Sequence, residues 1–86
     1  MTSNTAIVQS ACGLHARPAA ELMRTAKKYK SAIRIEKDGK SANAKSLVEI
    51  LCLGVNFGDS VQIHCDGADE QQAATTLKTL IESGIE

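Results

Sequence analysis

The sequence predicts an α+β domain with the element order β-α-β-β-α-β-α, four strands backed by helices on one face. Three observations predict it. Ile33 and Ile35 alternate with other residues over Ala32 to Lys37, the period of a half-buried strand. Asp38-Gly39 follows as a two-residue hairpin signal. Ala19, Leu22, Met23 and Ala26 recur at helical spacing, and so do Ala73, Leu77, Leu80 and Ile81, giving two amphipathic helices that must bury their apolar stripes against the strands. At 86 residues the chain is expected to form one domain, residues 1–86, without linkers, repeats or low-complexity tracts. Periodicity leaves the strand order open.

Taken in order, the first strand is expected over Thr5 to Gln9, around the apolar run Ala6-Ile7-Val8. The first helix is expected from Ala16 to Lys28. Pro18 suits its first turn, where the amides have no intrahelical acceptor and a missing N–H costs little. Its outer side carries Arg17, Arg24, Lys27 and Lys28, with Glu21 between them. Strands over Ala32 to Lys37 and Lys40 to Asn43 form the hairpin. Ser46-Leu47-Val48-Glu49 has the form of a capping box, opening a short helix that Gly54 ends near Leu53. Leu47, Ile50 and Leu51 are placed on one face of it and Val48 is left more exposed. Asn56-Phe57-Gly58-Asp59 reads as a turn. Ser60 to Asp66 reads as the last strand, with Val61, Ile63 and Cys65 inward and His64 opposite as a surface histidine. Asp69 is expected to cap the final helix, with Gln72 three residues on, and Gly84 to stop it.

Composition narrows the function. Hydrophobic residues make up 43% and charged residues 23%, the balance of an ordinary globular protein. Ten basic and ten acidic residues cancel, so no global field draws the chain to nucleic acid or membrane. Tyr29 and Phe57 are the only aromatics, too few for a base-stacking platform. No apolar run has transmembrane length, and Met1-Thr2-Ser3-Asn4 lacks the basic start of a signal peptide; a cytoplasmic location is expected. Cys12, Cys52 and Cys65 form no CxxC pair and suit reduced thiols. Cys12 and His15 make a C-x-x-H fragment that lacks the further ligands a zinc site takes, so neither metal nor cofactor is expected.

The chemistry gathers in Gly13-Leu14-His15-Ala16-Arg17-Pro18-Ala19-Ala20. His15 stands just before the helix. The backbone amides of Ala16 and Arg17 lie at the positive end of the helix dipole, and Arg17 adds a guanidinium. An imidazole, unpaired amides and a guanidinium converging on one spot suit a phosphoryl group carried on His15. The helix N-terminus and Arg17 both disfavour imidazolium and keep a ring nitrogen nucleophilic. Phosphoryl transfer then needs little beyond positioning and charge stabilisation.

This octapeptide resembles the active-site signature of the HPr family, the histidine-containing phosphocarriers of the bacterial phosphoenolpyruvate-dependent phosphotransferase system. The likeness continues at Lys45-Ser46-Leu47, at Leu53-Gly54 and at Gly67-Ala68-Asp69-Glu70. The resemblance implies an open-faced β-sandwich with an antiparallel sheet of order 1-4-2-3. It implies that His15 is phosphorylated at Nδ1 by enzyme I, with A domains of sugar-specific enzymes II as acceptors. It also implies regulation at Ser46 by HPr kinase/phosphorylase. Glu49 departs from the glycine or lysine common at this place in the family, and an acid there would repel a phosphoserine.

On this reading the chain is a monomeric phosphocarrier and not a free-standing enzyme. Arg24, Lys27, Leu47, Val48 and Leu51 would form the docking surface. Two alternatives stand beside it: a regulatory HPr-like protein of the nitrogen or carbon-repression type, and a small α/β ligand-binding module of similar element order.

Overall fold

The chain runs β1 (Thr2–Ile7), α1 (Ala16–Ala26), β2 (Ala32–Lys37), β3 (Lys40–Asn43), α2 (Leu47–Cys52), β4 (Ser60–Asp66) and α3 (Glu70–Glu82). The structure, a computed structural model, describes residues 1–9 and 16–83. The sheet has the order β1-β4-β2-β3 and every neighbouring pair is antiparallel. This is the order implied by the resemblance. The expected element sequence also holds.

Alternation decides which side of the sheet is covered. Ile33, Ile35, Val61, Ile63 and Cys65 are buried and meet Leu22, Ala26, Ile50, Leu77 and Ile81 from the helices. Arg34, Gln62 and the half-buried Glu36 and His64 lie on the opposite face. Ala74 joins Ala73, Leu77 and Ile81 in the buried stripe of α3, while Leu80 is only partly buried.

The hairpin turn is built as its dipeptide requires. Asp38 and Gly39 both have positive φ, 51° and 81°, the two left-handed residues of a type I′ turn. Gly54 follows α2 at φ 70°, the usual glycine stop.

Several boundaries differ from expectation. β1 starts at Thr2 and ends at Ile7 instead of spanning Thr5 to Gln9. Polar residues pair through their backbones as well as apolar ones, and the register with β4 begins at Thr2↔Cys65. α1 ends at Ala26, and turn bonds from Lys28 N to Thr25 O and from Tyr29 N to Ala26 O tighten the chain beyond it. Leu51 is 42% exposed and Val48 70%. A six-residue helix turns only one narrow face to the core, and Ile50 occupies it. The stop expected at Gly84 lies outside the described residues.

Two caps are redirected. Asp69 makes no side-chain bond at the start of α3. Its carboxylate instead accepts from Lys30 N at 2.9 Å, Ser31 N at 3.0 Å and the Ser31 hydroxyl, fastening the α1–β2 connection to the end of β4. These donors hold its carboxyl below the usual carboxylate range, the Ser31 hydroxyl foremost. The Ser46 Oγ does accept from Glu49 N, at a long 3.4 Å. The reciprocal half of the box is absent, because Ser46 N already donates to Asn43 O at 2.9 Å. The Glu49 carboxylate accepts from Asn43 N at 3.1 Å instead.

That bond belongs to a wider pattern, in which helix residues take main-chain groups along both outer strands. Asn43 on β3 has its N–H on Glu49 and its C=O on Ser46. On β1, Lys78 Nζ donates to Thr5 O at 2.6 Å and the Glu82 carboxylate accepts from Ile7 N at 3.2 Å. An edge strand whose N–H and C=O groups are occupied is a poor template for another strand.

Candidate functional site

α1 opens at Ala16, the residue directly after His15. His15 itself, with Cys12, Gly13 and Leu14, lies outside the described residues, so the site is built here from the helix side. The first turn carries no acid, and a helix start gives its leading amides no intrahelical acceptor. Ala16 and Arg17 therefore hold the expected place at the positive end of the helix. Pro18 and Ala19 are buried while Arg17 is exposed. The proline is withdrawn from solvent in the first turn, and the arginine next to it is left exposed. Leu22 and Ala26 continue the buried stripe one and two turns further on.

Arg24, Lys27 and Lys28 are exposed, like Arg17. They are not equivalent. Arg24 donates to Glu21 Oε1 at 2.6 Å across one turn, which offsets part of its charge. α1 packs against both α2 and α3, so the exposed Val48 and Leu51 and the half-buried Leu47 belong to a helix adjoining the basic one. Ser46 is half-buried at the start of α2 with extended backbone, φ −119° and ψ 112°. The turn bond to Asn43 and the Lys45 N–H on Asn43 Oδ1 at 2.9 Å fix the approach to it.

The family described as "PTS HPr component phosphorylation site" matches residues 2–83. The chain belongs to the HPr family. The phosphocarrier protein HPr of Borreliella burgdorferi is 43% identical over 83 residues, 96% of either chain. HPr-C-His from Thermoanaerobacter tengcongensis superposes with a TM-score of 0.93 at 46% identity, covering 96% of this chain and 93% of that one. Crh, the catabolite repression HPr of Bacillus subtilis, is 35% identical with a TM-score of 0.80, over 100% of this chain and 99% of its own; that structure is a dimer with a swapped domain. The HPr family is one of phosphocarriers of the phosphotransferase system.

Within this HPr fold some side chains do more than sequence reasoning assigned to them. His64, read as a surface histidine, is half-buried. Its Nδ1 lies 2.8 Å from Ser3 Oγ and its Nε2 2.9 Å from Glu36 Oε1, which joins β1, β4 and β2 across the open face. The contacts follow from the strand register, Ser3↔His64 and Arg34↔His64, which no local pattern in the sequence gives. Lys37 ties the end of β2 to Gly54 O and to Asp59, both at 2.9 Å. Cys65 is buried, and burial pushes its thiol pKa up; Cys52 is exposed on α2. Among the described residues no group of three His, Cys, Asp or Glu side chains could hold a metal ion. No helix among them is long and apolar enough to cross a membrane.

Proposed function

We propose that this chain relays phosphoryl groups by accepting one on His15 from phospho-enzyme I and passing it to A domains of sugar-specific enzymes II. The observation that carries this reading is the start of α1 directly after His15, with Arg17 exposed beside it and Pro18 buried beneath. The helix dipole and the first-turn amides would stabilise the charge on the equatorial phosphoryl oxygens, and Arg17 would supply a mobile cation to the same oxygens. A site at an exposed helix start lets the group leave as readily as it arrives. The chain acts as one domain, residues 1–86, as a monomer in the cytoplasm. It is a carrier that turns over nothing alone and needs neither metal nor cofactor.

Ser46 is the regulatory position in this reading, modified by HPr kinase/phosphorylase. A phosphate there would stand at the start of α2, beside Val48 and Leu51, which together with Arg24, Lys27 and Leu47 form the docking surface. Its charge would disfavour acidic partners while the helix N-terminus tolerates it.

The likeness to Crh over the whole chain favours one second reading, a regulatory protein whose His15 does not serve sugar uptake. Transfer of label from radioactive phosphoenolpyruvate through purified enzyme I separates the two. Labelling of the wild type, loss of label in His15→Ala and onward transfer to an enzyme II A domain are expected. A chain that enzyme I does not label, or a His15→Ala variant that keeps the label, overturns the relay.

A further inference from the structure

Lys30, Arg34 and Lys45 come from three separate segments and line one recess of about 400 Å³, together with Ala32, Ile33 and Asn43. That volume is in the range of small-molecule sites. Among the described residues no carboxylate and no residue of α1 lines it. Ala32 is exposed and contributes only a methyl group to the lining, and Ala44 N on Ile33 O at 3.0 Å ties the two strand segments together.

Among the described residues none of these three cations sits in an ion pair. Arg24, Lys37 and Lys78 each sit on a carboxylate. Arg34 instead donates to the Ser41 hydroxyl at 2.6 Å and Lys45 to the Tyr29 carbonyl at 2.8 Å, both neutral oxygens. Two of the neighbouring acids are engaged elsewhere. Glu36, two residues along β2 from Arg34, is bound to the His64 ring, and the Asp69 carboxylate is taken by Lys30 N and Ser31. Asp66, cross-strand from Ala32, and Glu49, whose carboxylate accepts from Asn43 N, are the other acids beside the recess.

We propose that this recess binds a small phosphorylated anion, apart from the phosphoryl-carrying site. Three like charges around one space repel each other, and a dianion between them converts that repulsion into attraction. The Arg34 fork matches two phosphate oxygens, while Lys30 and Lys45 act as point charges. Asn43 accepts from Lys45 N through Oδ1, which leaves its amide NH₂ as a donor to the same ligand.

The test is a titration of the full chain with inorganic pyrophosphate at low, constant ionic strength, followed by backbone amide NMR, with citrate as an anion of similar charge and no phosphoryl group. Saturable shifts centred on Ala32, Arg34, Asn43 and Lys45 are expected. Arg34→Gln should weaken them about tenfold while its spectrum stays native. Shifts confined to the start of α1, equal binding of citrate, or an isotherm unchanged in both Arg34→Gln and Lys45→Met overturn the proposal.

Discussion

Gly67 lies against Ser31 so closely that a Cβ on Gly67 would stand 2.7 Å from the Ser31 Cα and 2.6 Å from its Oγ. Ser31 is 1% exposed and has its N–H and hydroxyl on Asp69, so it has no room to yield. The turn before α3 and the turn after α1 are thus one packed unit, and a glycine is the condition for their contact.

Gly67→Ala should therefore destabilise by about 1–3 kcal/mol, the cost of overpacking a rigid site. Ser31→Gly on that background removes the Oγ and Cβ collisions but not the one with Cα, so it should restore only part of the loss. Urea unfolding of the single and double variants measures both. An alanine variant as stable as wild type would show that the two turns can separate freely.

Acid should loosen the same corner. Glu70 accepts from the Thr2 hydroxyl at 2.6 Å, the Met1 amino group at 3.0 Å and Gly67 N at 3.2 Å. These partners, the Thr2 hydroxyl first, lower its pKa from 4.5 to about 2. Asp69, Asp59 and Glu82 are shifted down as well. A carboxylate whose folded pKa is depressed adds stability above its unfolded pKa and loses it as pH falls through the folded one. Melting temperatures should hold from neutral pH to about pH 5 and fall between there and pH 2. Glu70→Gln should melt lower at pH 7 and show a shallower fall; equal slopes for both chains would remove Glu70 from the account.

If the basic side of α1 guides enzyme I, association should weaken with salt, and Arg24→Glu with Lys27→Glu should slow it roughly tenfold at low salt. Glu21 supplies the internal check. It holds Arg24 in an exposed pair, so Glu21→Gln should speed association modestly. Stopped-flow transfer rates that ignore both the reversals and the salt would reduce the stripe to a solvated face.

At α2 the charge of Glu49 and its hydrogen bond can be separated. Ser46→Asp should slow phosphoryl acceptance from enzyme I without altering the circular dichroism spectrum. Adding Glu49→Gln removes a negative charge yet keeps an acceptor for Asn43 N, so part of the rate should return at unchanged melting temperature. Glu49→Ala gives up that acceptor and should lower the melting temperature, in keeping with about 1 kcal/mol for a lost hydrogen bond. A Ser46→Asp chain that accepts phosphate at the wild-type rate would end this reading of Ser46.

Much of the architecture was legible because it is written in local periods. The stretch Ala32 to Lys37, the Asp38-Gly39 turn and the stripe Ala73, Leu77, Ile81 each announce themselves within a dozen residues. β1 was misplaced because Thr2 to Thr5 pair through main-chain groups, which leave no apolar period. From the sequence Asp69 and Glu49 look like capping groups at the starts of α3 and α2, whereas their carboxylates reach donors in other segments, and no local rule shows which donor wins. The motif around His15 was legible for a different reason: it is contiguous. The recess of Lys30, Arg34 and Lys45 is not, since its three cations meet only once β2 and β3 have paired.

The main-chain groups taken up at Thr5, Ile7 and Asn43 bear on how such a carrier can change over generations. With Asn43 N on β3 and Thr5 O and Ile7 N on β1 taken up by α2 and α3, another polypeptide finds fewer main-chain partners at these places along the sheet edges. That favours recognition through side chains on the helices. Those that bond no strand can be exchanged singly, so new partners can be acquired or old ones dropped in small steps while the scaffold is inherited whole.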